Sequence, residues 1–311
     1  MMAKTQLRVA VVQATPVIFD LKKSLQKTIA LIHECKKQHA ELILFPESFI
    51  PAYPRGLDFG AVVGKRTDEG RKLWQRYHDN SLVVPGPETL ALCEAAKSAN
   101  AFIALGITER DKINGSLYCT LLYFSPSGEL IGKHRKLKPT GTERVIWGEG
   151  DGKTLTTFDA GFALVGGLIC WENYMPEARL SMYRKGVQIY LAPTADARES
   201  WQSTMKHIAM EGRCFVMGCN QFVKKTDYPD DLIPLLRDEP EVMSNGGSVI
   251  VSPMGEVICG PAWGEEKILV ADLDLTEVSR AKMDFDVTGH YARPDVFKLD
   301  IQDQPETIIA D

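Results

Sequence analysis

LRVAVVQATPVIFDLKKSLQKTIALIHECKKQHAELILFPE, residues 7–47, contains the unit on which the fold is built. LRVAVVQA (7–14) is a β-rich apolar run, Leu21 to Gln38 has helical periodicity, and ELILFPE (41–47) is a second short apolar run. This is a β–α–β opening. It repeats after an irregular segment at 51–86, with a helix at 87–99 introduced by Pro-Gly-Pro, then AFIALGITE (101–109). SLYCTLLYFSP and GELIGKHRK, joined at Pro126-Ser127-Gly128, predict an antiparallel hairpin, and GGSVIVSPMGEVICG (246–260) predicts another. Between them lie FALVGGLICWE (162–172), a helix at 176–185, VQIYLAPTA (187–195), a helix at 200–212 and CFVMGCNQF (214–222). Parallel units mixed with hairpins predict a two-sheet α/β sandwich with helices outside, not a single doubly wound sheet.

No Ser/Gly/Pro linker divides the chain, so one domain is expected over 1–299, followed by a short polar tail at 300–311 read as frayed or as an oligomer arm. DYPDDLIPLLRDEPEVMSN (227–245), rich in Pro and Asp, reads as a mobile loop. The net charge of -5 over 311 residues, with basic residues spread along the chain, carries no footprint for nucleic acid or an anionic membrane. The first residues lack the pattern of a secretory signal and no later run approaches a membrane span, which predicts a cytoplasmic protein. Seven cysteines without CxxC spacing give no disulfide or zinc framework. Without HExxH, EF-hand, Walker or GxGxxG patterns, no metal and no cofactor is expected.

Three positions can carry chemistry. Cys170 ends the apolar run ALVGGLIC and meets Trp-Glu-Asn and then Pro176, so a strand delivers a thiol to a turn where backbone N–H groups can face developing negative charge. Taken alone, a cysteine in an apolar run is more often an inert core thiol. Glu47 follows Phe-Pro at the end of a strand, where burial would raise its pKa and suit it to general acid–base work, although a solvated loop glutamate fits the same letters. Lys136 lies among five basic residues in seven positions, and spacing alone does not say which of these points inward. A cysteine hydrolase usually takes its base from histidine, yet no histidine stands out; a carboxylate could accept the thiol proton and a buried ammonium could hold the anion formed on addition.

These motifs resemble the nitrilase branch of the carbon–nitrogen hydrolase superfamily, and the resemblance runs from VAVVQATP (9–16) to GHYARPDV (289–296). LFPESF, HRKLKPT and CWEN stand where that family has its catalytic glutamate, lysine and cysteine, which maps these roles to Glu47, Lys136 and Cys170. TERVIWGEGDG places a second family glutamate at Glu143, and APTAD (192–196), residues 201–216 and the Gly-Gly-Ser run at 246–248 add to the likeness. The resemblance implies a four-layer α–β–β–α sandwich and a cofactor-free enzyme, a homodimer or larger homo-oligomer. It implies hydrolysis of an organic nitrile to the acid and ammonia through a thioimidate and a thioester, with some amide possible. The short end, IQDQPETIIAD, departs from the longer tails of many microbial members.

Neighbours of the motifs supply the expected pocket: Tyr53, Trp147, Trp171, Pro193 and Thr194, with His134 and Asn173 as hydrogen-bonding supports behind them. The sequence is closer to aliphatic-type and cyanoalanine-type members than to fungal cyanide hydratases. Two rival readings remain: an amidase of the same superfamily, against which Trp-Glu-Asn after Cys170 argues, and a non-catalytic metabolite-binding homologue, which predicts a missing triad member.

Overall fold

The computed structural model describes residues 5–302. Strand β1 (Gln6–Gln13), helix α1 (Leu21–Lys37) and strand β2 (Leu42–Leu44) form the opening unit, with the two strands parallel and Val9 opposite Leu42. Helix α1 begins where the Asp20 carboxylate accepts the Lys23 N–H and ends on Lys36 and Lys37, so each end carries the charge its dipole favours. The segment expected to be irregular contains helix α2 (Asp68–Asp79). Its signals are local: a Thr67 cap, Asp68 and Glu69 in the first turn, and Arg76 and His78 in the last. Tyr77 anchors it, fully buried with its hydroxyl among Ser48, Thr108 and the Ala52 carbonyl.

Strand β3 (Leu82–Val83), helix α3 (Pro87–Ala99) and strands β4 (Phe102–Arg110), β5 (Leu117–Phe124) and β6 (Leu130–Arg135) complete the first half. The second half contains β7 (Thr157–Asp159), β8 (Leu164–Gly167), α4 (Pro176–Arg184), β9 (Ile189–Pro193), α5 (Ser200–Gly212), β10 (Phe215–Cys219), β11 (Phe222–Lys224), β12 (Val242–Val251) and β13 (Val257–Trp263). Strand β14 (Lys267–Asp274), not anticipated from the sequence, returns to the first sheet antiparallel to β1, and α6 (Thr276–Ala281) follows it. One sheet has the order β14-β1-β2-β4-β5-β6 with β3 on β4; the other has the order β11-β12-β10-β9-β8-β7 with β13 on β12. Both expected hairpins, β5–β6 and β12–β13, are antiparallel.

Strand alternation distributes the core over three apolar layers. Val9, Val11, Leu42 and Leu44 of the first sheet share a cluster with Val165, Ile189, Leu191, Phe215 and Met217 of the second. Their neighbours Ala10, Val12, Ile43 and Phe45 point the other way, onto Ile32 and Cys35 of α1 and Leu92 and Ala96 of α3. Tyr190, Ala192 and Val216 likewise face Met182 of α4 and Met205 and Ile208 of α5. The architecture is therefore the α–β–β–α sandwich.

The 227–245 stretch is packed, contrary to the expectation of a mobile loop. Tyr228, Leu232 and Leu236 are buried in the inter-sheet cluster, and the Tyr228 hydroxyl donates to the Arg55 carbonyl. Its Pro and Asp residues set short turns, while the apolar residues between them supply the anchors. The tail expectation falls mostly on 303–311, outside the described residues; Ile301 packs against the α4–α5 cluster. Among the described residues no helix is long and apolar enough to cross a membrane.

Candidate active site

Glu47 sits just beyond β2 because β4 lets the chain come close. A Cβ on Gly106 would lie 2.1 Å from the Pro46 carbonyl oxygen and 2.8 Å from the Glu47 Cα, so only a glycine permits this approach. The Gln221 side chain donates to the Glu47 carbonyl at 2.8 Å, fixing the backbone from the opposite sheet. The Glu47 side chain is completely buried. Its Oε1 accepts from Lys136 Nζ at 2.6 Å and from Cys119 Sγ at 3.4 Å, while its Oε2 has no hydrogen-bond partner among the described residues.

The basic run that gave no inward lysine from spacing is sorted by strand geometry. Lys133 and Arg135 reach Glu109, whereas His134 reaches Glu172 and Lys136, just past the end of β6, reaches Glu47 and Glu143. Lys138 pairs with Glu149 near the surface. Lys136 Nζ donates to Glu143 Oε2 at 2.7 Å, and Glu143 also accepts from the Tyr53 hydroxyl at 2.7 Å and the Thr140 N–H at 2.7 Å. One ammonium thus lies between two carboxylates.

Cys170 opens a 3-10 turn, Cys170–Tyr174, directly after a short extended segment, and its φ of 51° is left-handed. A non-glycine residue in that region is strained, and such strain recurs where a side chain must be presented to a site. Strand β8 ends earlier than the apolar run suggested, at Gly167, where a Cβ would lie 1.8 Å from the Leu191 carbonyl oxygen. The Asn173 amide donates to the Cys170 and Leu168 carbonyls at 2.8 and 3.0 Å and accepts from the Tyr190 hydroxyl at 2.8 Å, holding the turn closed. Thr194, at the end of β9, donates its hydroxyl to Cys170 Sγ at 3.1 Å.

The electrostatics follow from burial. Desolvation lifts the Glu47 carboxyl above the usual carboxylate range, with Lys136 opposing and Glu143 adding to the rise. Burial would lower the Lys136 ammonium, but Glu47, Cys170 and Glu143 outweigh it and hold it well above the ordinary lysine value. Burial, reinforced by Glu47, pushes the Cys170 thiol up to about 12, so at rest it is a neutral thiol that would need a base to act as a nucleophile. A buried carboxylate with raised proton affinity is suited to that step.

Cys170 and Glu143 line a cleft of about 370 Å³ together with Tyr53, Trp171, Arg198 and Asn245. Among the expected pocket residues, Tyr53 and Trp171 line the cleft and Thr194 touches the thiol. Trp147 and Pro193 do not line it: Trp147 is buried behind Tyr53, edge-on at 5.6 Å, and Pro193 is buried at the end of β9. The Trp171 indole donates to Asp196 at 2.9 Å and lies under the Arg198 guanidinium, so the rim is more polar than the sequence suggested. His134 is fully buried behind the site. Cys119, Asp196, Arg198 and Glu172 were not anticipated; Glu172 stands inside the Cys-Trp-Glu-Asn motif, two positions past Cys170, which is the one signal that marks it.

The family model described as carbon-nitrogen hydrolase matches residues 8–283. The chain is 49% identical over 306 residues to an aliphatic nitrilase of Sinorhizobium fredii (strain HH103), covering 98% of each chain. It is 46% identical to nitrilase 2 of Arabidopsis thaliana, covering 98% of this chain and 91% of that one. It is also 46% identical to a bifunctional nitrilase/nitrile hydratase of Lupinus angustifolius, covering 96% and 87%. Among solved structures, Saccharomyces cerevisiae Nit3, a member of branch 10 of the nitrilase superfamily, superposes with a TM-score of 0.74 at 20% identity, covering 94% of this chain and 99% of that one. A carbon-nitrogen hydrolase from Helicobacter pylori G27 gives 0.74 at 19%, covering 94% and 97%. At such identities these two likenesses concern the fold.

Proposed function

The chain belongs to the carbon–nitrogen hydrolase family, in its nitrilase branch, and from that premise we propose that it hydrolyses an organic nitrile to the carboxylic acid and ammonia with Cys170 as nucleophile. The observation that carries the assignment of roles is the state of Glu47: a fully buried carboxylate with one oxygen held by Lys136 and the other without a partner among the described residues, its charge acting on the Cys170 thiol. Such an oxygen is free to take a proton and return it.

In the first step the thiol proton passes to Glu47 as sulfur adds to the nitrile carbon, and Glu47 returns it to nitrogen, giving a thioimidate. Lys136 stabilises the negative charge that develops on nitrogen during addition. Water then adds across the C=N bond, its proton passing through a carboxylate to nitrogen, which gives a tetrahedral carbon bearing hydroxyl, amine and sulfur. The hydroxyl then gives up its proton, which a carboxylate relays to the amine, so that ammonia leaves and the thioester carbonyl forms. A second water, activated by Glu47 or Glu143, releases the acid and returns the proton to sulfur. If the tetrahedral carbon expels sulfur instead, the product is the amide. The relative named as both nitrilase and nitrile hydratase makes this branch worth measuring.

The cleft volume suits a compact substrate, since pockets for small molecules run from about 300 Å³ upward. Ammonia release from aliphatic, arylaliphatic and aromatic nitriles, each beside its amide, tests the reading with wild type and Cys170→Ala. Release from nitriles that disappears in the variant is the expected result. Release from amides alone would overturn nitrile hydrolysis in favour of an amidase, and turnover surviving in Cys170→Ala would overturn the nucleophile.

A further inference from the structure

Glu172 is a fully buried carboxylate placed between the two chain segments that bear the reacting groups. Its Oε1 accepts the Leu137 N–H at 2.6 Å and its Oε2 accepts the Ile169 N–H at 2.6 Å. Leu137 directly follows Lys136, and Ile169 directly precedes Cys170. Lys136 leaves β6 of the first sheet and Cys170 follows β8 of the second, so one carboxylate ties the two sheets together at the residues adjoining the lysine and the nucleophile.

His134 completes the arrangement. Its Nε2 lies 3.1 and 3.0 Å from the two Glu172 oxygens, and its Nδ1 lies 2.8 Å from the Thr154 carbonyl oxygen. A carbonyl can only accept, so Nδ1 carries a hydrogen; burial opposes a second proton on the ring, but the neighbouring Glu172 and the Thr154 carbonyl outweigh it and raise the imidazole above the usual histidine value, so Nε2 faces the carboxylate as a donor. The geometry therefore calls for an imidazolium–carboxylate pair with neither partner exposed. A buried ion pair is a poor device for stability alone, because desolvation offsets its attraction. Charge-assisted hydrogen bonds are short and directional, which suits them to fixing a distance.

We propose that Glu172, oriented by His134, is a positioning residue that sets the placement of Lys136 relative to Cys170 across the gap between the sheets. The inference rests on the nitrile-hydrolysis reading. In Glu172→Gln the amide presents a single acceptor oxygen, so one of the two backbone N–H groups loses its partner and the two segments separate there. A displacement on the order of 1 Å near the chemistry costs about 100-fold. Substrate still enters the same cleft, so the loss falls on kcat while KM stays within about three-fold. With the charge near nitrogen misplaced, ammonia leaves less readily and sulfur more often, so the amide share of product rises.

The experiment measures kcat, KM and the acid-to-amide ratio for wild type, Glu172→Gln and His134→Gln on a nitrile that wild type hydrolyses. The ratio does not depend on how much of a variant is folded, so a structural defect alone leaves it unchanged. The expected result is a kcat loss of about 100-fold for Glu172→Gln and about ten-fold for His134→Gln, which keeps both backbone contacts, each with a raised amide share. If Glu172→Gln does not fold, His134→Gln carries the same comparison. A kcat within about three-fold of wild type, or a lowered kcat with an unchanged product ratio, overturns the proposal. A wild type active on amides alone overturns the nitrilase reading instead, and the kcat-against-KM split on that amide then decides the positioning role. A wild type that releases ammonia from neither class overturns both.

Discussion

Glu47 and Glu109 are both buried, both belong to the first sheet or its immediate end, and both meet cations from the same short stretch after β5. They differ in how completely they are paired. Glu109 receives Lys133 Nζ at 2.9 Å, Arg135 Nε at 3.0 Å, Arg135 Nη2 at 2.6 Å and the Thr120 hydroxyl at 2.9 Å, so both oxygens are occupied. Burial would lift its carboxyl, but Arg135 and Lys133 outweigh it and hold it below the usual range. Glu47 keeps one oxygen without a partner among the described residues and is lifted above that range. On the proposed reading reactivity comes from incomplete pairing of a buried charge, while the fully paired Glu109 is a structural joint.

The largest expected effect separates the two by function. Glu47→Gln removes the proton acceptor, and general-base contributions run to about 10²–10⁴-fold, so kcat should fall at least about 100-fold; stability falls less than for Glu109→Gln, because Lys136 keeps its bond to Glu143 and the amide removes one buried charge. Glu109→Gln strands Lys133 and Arg135 and should lower unfolding free energy by about 3–5 kcal/mol, the usual cost of breaking a buried pair, with kcat per folded molecule within about two-fold of wild type. Denaturant melts alongside turnover check both. A Glu109→Gln enzyme that is stable but inactive would break the distinction.

The same contrast separates activity from stability on the pH axis. Glu47 works as a base only when deprotonated, so kcat/KM should fall as pH drops through its raised value, above the ordinary glutamate value of about 4.3. Glu109 has a depressed folded-state value. Its stabilisation is therefore present above the unfolded value and lost only as pH falls through the lower, folded one. Activity should disappear reversibly while the protein is still folded. Parallel profiles of kcat/KM and Tm would show this; coincident loss of both would mean that the acid limb reports unfolding.

The distinction between the two carboxylates is not local in the sequence. The β–α–β repeats and hairpins were legible because periodicity and turn residues are local, and the motifs around Glu47, Lys136 and Cys170 singled out, through resemblance, three side chains that the fold brings together. The partners of Lys133, His134, Arg135 and Lys136 depend on which faces of β6 meet Glu109 and Glu172, a matter of register between distant segments. Strand alternation already divides 133 and 135 from 134 and 136, so half of that answer was present in the sequence. Helix α2 lies in the segment expected to be irregular: its cap and charged ends are local signals, but Pro and Gly residues precede it closely in the chain. Strand β14 carries weak alternation of its own and is fixed by pairing with β1, more than 250 positions away in the chain.

Two threonines sharpen the comparison at the scale of single hydrogen bonds. Thr194 donates to Cys170 Sγ at 3.1 Å, and Thr120 donates to Glu109 Oε2 at 2.9 Å. The Thr194 hydroxyl favours the thiolate, drawing the buried thiol down against the larger upward effect of desolvation. In Thr194→Val the thiolate loses that support, so both kcat/KM on a nitrile and the rate of Cys170 alkylation by iodoacetamide should fall about ten-fold, equivalent to about 1.4 kcal/mol. Thr120→Val removes a bond of similar kind from the fully paired carboxylate and should cost about 1–2 kcal/mol of stability with turnover unchanged. Because the two substitutions delete the same atom type from buried sites in one protein, overpacking or lost volume cannot account for opposite readouts. If Thr194→Val lowered stability and left alkylation untouched, the Thr194 hydroxyl would be a packing group, and support for the thiolate would fall to Lys136.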